Sequence, residues 1–317
     1  MNIKKIGLTA LAASLVSVSA HAGEMTVAGG ASATLKNNSG TDGGKSITMG
    51  NQLTFSGGGE LDNGLNVALS FVLDHGDNVA SGFDSHSLTV SSDALGSLTI
   101  AGDGTGNAQS ALDTTAAGDI WNNGFTHGAG VAYTGMAGGT STNDKSVNYT
   151  LPTIMDDLSV KVSYSGQTTA INSTTAFGVT YTGVEGLTVS YGVGENGSTV
   201  ANTAADVTSM SASYAIGSFT AAISNTENDR TASGLDEEMS SFKLSYTVSD
   251  DLSISYGEET HETSGSTVDE EFDGITVSYT TGGMTITAAQ YNAVGLGNAT
   301  GSANEAARWK LSTSFAF

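Results

Sequence analysis

The chain of 317 residues contains no cysteine. Disulfide frameworks, thiolate metal sites and cysteine nucleophiles are therefore excluded. It contains one proline, Pro152. Cations are scarce: 10 Lys and Arg stand against 32 Asp and Glu, a formal charge of −22. Such a balance repels nucleic acid, whose binding rests on Lys and Arg neutralising phosphate. Beyond Gly23 no apolar run approaches the ~18 residues that a membrane-spanning helix needs. No Gly-x-Ser-x-Gly or His-Glu-x-x-His motif surrounds His75, His86, His127 or His261, so no enzyme activity is expected. The 42 glycines follow no collagen-like or RTX-type period.

What is present is alternation. Between Ser146 and Tyr164, Val147, Tyr149 and Leu151 alternate with Ser146, Asn148 and Thr150. After a break over 152–157, Leu158, Val160, Val162 and Tyr164 alternate with Ser159, Lys161 and Ser163. These are two period-two strands joined by a tight polar turn, each with one apolar and one polar face. The N-terminus follows another rule. Lys4 and Lys5 precede an apolar stretch from Ile6 to Ala20, and Ala20-His21-Ala22 is a small-x-small cleavage site. Residues 1–22 therefore read as an export signal, and the mature protein is expected to span 23–317. The signal carries two lysines, Lys4 and Lys5, and no carboxylate, so the mature chain is more acidic still.

The alternation predicts sixteen strands, at 24–35, 46–60, 65–74, 85–92, 96–102, 145–151, 158–165, 174–182, 187–194, 207–215, 218–225, 238–248, 252–259, 271–281, 284–292 and 305–317. Short Gly-, Asn- and Asp-containing turns alternate with longer polar segments, as in an up-and-down meander. Closing such a sheet into a barrel removes both edges. Tyr181, Tyr214, Tyr246 and Tyr279 recur near strand ends, as interfacial girdles do. A soluble β-sandwich would show the same alternation with the apolar face buried. The predicted class is all-β: a 16-stranded antiparallel transmembrane barrel with short periplasmic turns and longer external loops.

Several segments together carry a resemblance. They are the leader ending Ala20-His21-Ala22-Gly23, the run Asp62-Asn63-Gly64-Leu65-Asn66-Val67, the run from Leu95 to Gly102, the Ser146–Tyr164 hairpin and the terminal Phe317. In this order they resemble Gram-negative general-diffusion porins of the outer membrane, especially the alphaproteobacterial kind. The resemblance implies a water-filled channel for passive diffusion of small hydrophilic solutes and ions, without a cofactor. It implies a homotrimer, with loop 75–84 latching onto a neighbour and small residues on the first strands (Gly29, Gly30, Ala31, Ala33, Gly57, Gly58, Gly59) permitting close packing. It implies that Phe317 is the signal read by the barrel-assembly machinery. Outer-membrane lipid and lipopolysaccharide would surround the barrel.

The longest connection, 103–144, stands where that family carries its inserted third loop, and 103–130 is expected to form the constriction. The Pro-Glu-Phe-Gly-Gly motif of some enterobacterial relatives is absent from it. Asp103, Asp113 and Asp119 would line the constriction, opposite Lys161, Lys243, Arg308 and Lys310 on the pore wall. These cations oppose the apolar parity; on a lipid face each would cost roughly 2–4 kcal/mol. The acidic excess leads to an expectation of mild cation selectivity. Asp269, Glu270, Glu271 and Asp273 form a candidate Ca²⁺ site, as do Asp236, Glu237 and Glu238. Two further readings are a surface or adhesion barrel and a soluble secreted all-β binding module.

Overall fold

The computed structural model describes residues 25–38, 44–74, 83–103, 106–112, 114–125, 145–167, 172–199, 204–231 and 235–317. The leader, Asp113, Val131–Tyr133 and most of loop 75–84 lie outside these residues. The strands are β1 (Thr26–Asn38), β2 (Gly44–Glu60), β3 (Asn66–Asp74), β4 (Phe83–Ser92), β5 (Gly96–Asp103), β6 (Ser146–Thr150), β7 (Leu158–Ser165) and β8 (Thr174–Val184). They continue as β9 (Leu187–Asn196), β10 (Ala205–Ile216), β11 (Phe219–Arg230), β12 (Glu237–Ser249), β13 (Leu252–Thr263), β14 (Glu270–Thr281), β15 (Met284–Val294) and β16 (Ala306–Ala316). Each pairs antiparallel with its neighbours in sequence, and β1 also pairs with β16, so the sixteen strands close a barrel.

The closing seam runs from Gly30↔Ala316 to Asn38↔Arg308. Past the last strand, Gly29 N–H donates to the Phe317 carbonyl at 2.7 Å, and Phe317 N–H donates back at 3.0 Å. The Phe317 ring occupies the space a side chain at Gly29 would need, since a Cβ there would stand 2.2 Å from a ring carbon. The terminal aromatic is thus part of the seam, and glycine at 29 makes room for it.

Strand alternation sorts the residues between two surfaces. Leu69, Ile223, Phe242, Leu244, Ile275 and Leu311 stand exposed on the outer face. A sandwich would have buried them. The main buried apolar cluster lies instead inside the barrel: Ile120, Trp121 and Phe125 meet Met239, Phe272, Ala293 and Leu296.

The strands run further at the long-loop end than the alternation predicted. β11 continues to Arg230 and β13 to Thr263, through residues that are polar on both faces. Much of what reads as acidic loop is strand. This also dissolves the candidate Ca²⁺ sites. On β14, Glu270 points inward with Phe272, whereas Glu271 and Asp273 point outward with Ile275. On β12, Glu237 points inward and Glu238 outward. Alternation separates the carboxylates, and among the described residues no three His, Asp or Glu converge on a metal position.

Candidate functional site

The inner face of the barrel is lined by residues of the polar parity, and a segment of the chain lies against it. After β5 the chain turns into the lumen, and residues 106–125 follow the wall from β7 round to β16. Asn107 starts the path: its Oδ1 accepts the main-chain N–H groups of Gln109 (2.9 Å) and Ser110 (2.8 Å), opening a one-turn 3-10 helix over Ser110–Leu112. Asn side chains favour such local closures.

The wall holds the segment with two residue types. Serines accept from it: Ala108 N–H donates to Ser163 Oγ on β7 (2.8 Å), Ala116 N–H to Ser224 Oγ on β11 (2.8 Å) and Ala117 N–H to Ser241 Oγ on β12 (2.9 Å). The Gln109 amide donates to Ser209 Oγ on β10 at 2.8 Å. Glycines supply room where the backbones touch. A Cβ at Gly178 on β8 would stand 2.4 Å from the Ala108 carbonyl oxygen, and one at Gly257 on β13 would stand 2.7 Å from Ala117 Cβ. The main-chain donors of Ala108, Ala116 and Ala117 thereby find partners on the wall.

One charged group completes the attachment. Glu259, on the inward face of β13, is 1% exposed. Its Oε1 accepts Ile120 N–H at 2.9 Å and its Oε2 accepts Trp121 N–H at 2.8 Å; the Thr115 hydroxyl also donates to it. It thus caps the second one-turn 3-10 helix, Ile120–Asn122. Beyond the cap, Phe125 packs on Phe272 with ring centroids 5.6 Å apart, and the Arg308 guanidinium lies 5.0 Å from the centre of the Phe125 ring. Lys310 Nζ donates to Asn123 Oδ1 at 3.3 Å.

The residues singled out from the sequence fall unevenly. Lys161, Lys243, Arg308 and Lys310 all lie on the inward parity of their strands. Asp103 ends β5, and Asp113 lies outside the described residues. Asp119 sits on the inserted segment with a left-handed backbone (φ 54°), and its carboxylate accepts Thr115 N–H at 3.0 Å. Two inward groups were missed. Glu259 was one acid among many, although its parity with Gly257, opposite Tyr256, marks it as inward. Lys36 lies in a first strand whose glycines obscure the alternation; it faces Lys310 across the seam.

A second polar group braces the long-loop end. On inward positions of β11 to β14, Arg230 pairs with Glu237 at 2.6 Å, and His261 stands 3.8 Å from Glu237 and 3.5 Å from Glu270. Glu270 also accepts Gly297 N–H at 2.5 Å, tying in the connection between β15 and β16, whose Leu296 joins the buried cluster.

No curated protein sequence matches this chain. Solved structures share its fold. An anion-selective porin from Comamonas acidovorans superposes with a TM-score of 0.70 at 14% identity, over 93% of this chain and 99% of that one. A mutant Rh. blastica porin gives 0.65 at 12% identity, over 93% and 100%. Salmonella typhi OmpF, solved with daunomycin, gives 0.71 at 11% identity, over 93% and 98%. The profile of the Gram-negative porin family matches residues 7–310. The chain belongs to the Gram-negative porin family and is an outer-membrane channel protein, not an enzyme.

Proposed function

We infer that the channel passes small hydrophilic solutes by passive diffusion, and that segment 106–125 sets its narrowest part. The observation that carries this reading is the attachment of that segment to the inner wall by Ser163, Ser209, Ser224, Ser241 and Glu259. A segment so held narrows the lumen without closing off the opposite wall. Single-channel recording in a planar bilayer tests the reading: purified folded protein should give stepwise conductance in KCl, and a complete lack of steps would contradict it.

Among the described residues most strand carboxylates do not face the lumen. Glu195, Asp206, Glu227, Asp229, Glu238, Glu258, Glu262, Glu271 and Asp273 lie on outward parities, away from the water path. Asp62, Asp93, Asp156, Asp157, Glu185, Asp250 and Asp251 lie in the short turns. Lys36, Lys161, Lys243 and Lys310 face inward. Glu60 and Asp74 face inward at strand ends, and Glu237, Glu259 and Glu270 are buried. Mild cation selectivity, expected from the acidic excess, does not rest on these strand and turn carboxylates in this reading; reversal potentials in a KCl gradient test it, and anion preference would contradict it.

The functional unit in this reading is a homotrimer joined through β1–β3. Gly29, Ala31 and Ala33 share the outward parity of β1, and Gly57 and Gly59 that of β2; Gly30 and Gly58 point inward. Asn51 supports the reading further: it stands outward between Met49 and Leu53 in the middle of β2. An amide facing hydrocarbon lacks partners, and a neighbouring barrel would supply them. Phe317 is the residue the assembly machinery would read. Mass measurement in mild detergent tests the trimer, which a monodisperse monomer would contradict.

A further inference from the structure

Glycine in the interior of a strand weakens it, and it is found where another part of the chain comes close. Gly178 on β8 and Gly192 on β9 are direct partners across their ladder, and both point inward. Two facing glycines leave a notch in the wall. In the same row Lys161 borders it on β7 and Ser209 on β10. On the short-turn side the next inward pair is Thr180 and Ser190, whose hydroxyls share a hydrogen bond at 3.0 Å. Leu112 of the inserted segment occupies the notch. A Cβ on Gly178 would stand 3.2 Å from Leu112 Cδ1, and one on Gly192 would stand 3.1 Å from the same methyl group. The segment's main chain is as close: the Gly192 position would also meet Gln109 Cα at 3.3 Å. A side chain on either glycine would crowd the leucine.

We propose that Leu112 is a positioning residue for the constriction: seated between Gly178 and Gly192, its side chain fixes the register of the first half of the inserted segment along the wall. The proposal rests on the channel reading above and adds the residue that keeps the narrow part still. From 106 to 119 the segment is made of Gly, Asn, Ala, Gln, Ser, Asp and Thr, and Leu112 is its one large apolar side chain. Hydrogen bonds to wall serines exchange with water in a wet lumen at a small net loss. A leucine lifted out of its notch exposes apolar surface and gains nothing in return. The backbone delivers it to one place. Ser110–Leu112 is a turn of 3-10 helix, Leu112 N–H donates to the Gln109 carbonyl at 2.8 Å, and the Gln109 amide donates to Ser209 Oγ at 2.8 Å. The leucine and the amide therefore engage neighbouring positions of one row, Gly178, Gly192 and Ser209. A slip of the segment toward the short turns would set the leucine against the side chains of Thr180 and Ser190. The second half is held by Glu259 and the buried apolar cluster; Leu112 does the corresponding work for the first.

The test is an exchange of size between the two sides of the notch, read as open-channel current noise in symmetrical KCl. Leu112→Ala empties the notch, and the noise should rise severalfold while heat-modifiable mobility on gels stays that of wild type. Gly192→Ala crowds the native leucine and should also raise the noise. Combining the two returns a methyl group from the wall side, so the double variant should be quieter than either single variant. A loss of general stability would instead make the two effects add. Leu112→Met keeps volume and apolar character and should match wild type. Leu112→Asn, of similar size but polar, should be as noisy as Leu112→Ala; this pair serves if a Gly192 variant assembles poorly. A double variant as noisy as the noisier single variant overturns the proposal. So does a Leu112→Ala or Leu112→Asn channel that is folded, conducting and as quiet as wild type. A lack of KCl steps altogether would contradict the channel reading instead.

Discussion

The two halves of the inner wall are built on different principles. From β7 to β13 the residues facing the inserted segment are small: Ser163, Gly178, Gly192, Ser209, Ser224, Ser241 and Gly257. They bring the backbones together and satisfy each other's hydrogen bonds, and the one charge among them, Glu259, is consumed in capping. At the β16–β1 seam the inward residues are long and cationic: Lys36, Arg308 and Lys310. Arg308 and Lys310 meet the end of the segment at Phe125 and Asn123, and a cavity of about 220 Å³ lies beside the three. One half of the barrel positions; the other is left to meet solutes. The difference shows why the net charge of a porin chain says little about its lumen, since a side chain's parity decides which solvent sees it.

The sharpest way to break the positioning half is Glu259→Ala. It strands the Ile120 and Trp121 N–H groups and the Thr115 hydroxyl in a buried place, and each unsatisfied group costs about 1–3 kcal/mol. The segment should leave the wall, giving higher and noisier single-channel conductance and new protease sensitivity within 106–125. Gly178→Val should act next most strongly, because its side chain must displace the Ala108 carbonyl; overpacking of this kind costs about 1–3 kcal/mol. Conductance should again change while the barrel, judged by retained heat-modifiable mobility on gels, stays folded.

The charged half is tested by Lys161→Glu with Lys243→Glu. Reversal potentials in a KCl gradient should move toward cation preference, and the shift should shrink as salt rises and screening shortens. The smallest effect belongs to Ser163→Ala. It removes one of several anchors, worth about 0.5–1.5 kcal/mol, so thermal unfolding should change slightly and conductance hardly at all.

All sixteen strands were legible because the outer face must be apolar along its whole band, which gives each strand an unbroken period of two. The signal failed where that demand ends. Near Asn228 and Glu262 both faces are polar, so the strand continues after its pattern has stopped. The inserted segment's existence was legible from its length, but its partners were not. Ser163 and Gly257 look like ordinary inward residues, and only the folded path shows that they meet Ala108 and Ala117. The partners of the acidic residues were hidden for a related reason. Asp119 is bound to its own segment, and most of the strand carboxylates point away from the lumen.

The central claim is that residues 106–125 lie inside the barrel against one half of its wall. The native chain has no cysteine, so a single engineered pair reports on that contact without background. Ala117→Cys with Gly257→Cys places two thiols where the backbones already touch; bridging them asks for a Cβ separation near 3.8 Å, a small relaxation from the present contact. Mild oxidation of the membrane-inserted protein, followed by tryptic digestion and mass spectrometry, should yield the two segments joined by a disulfide. Recovery of both peptides unlinked, from protein that is folded and conducting, would contradict the account.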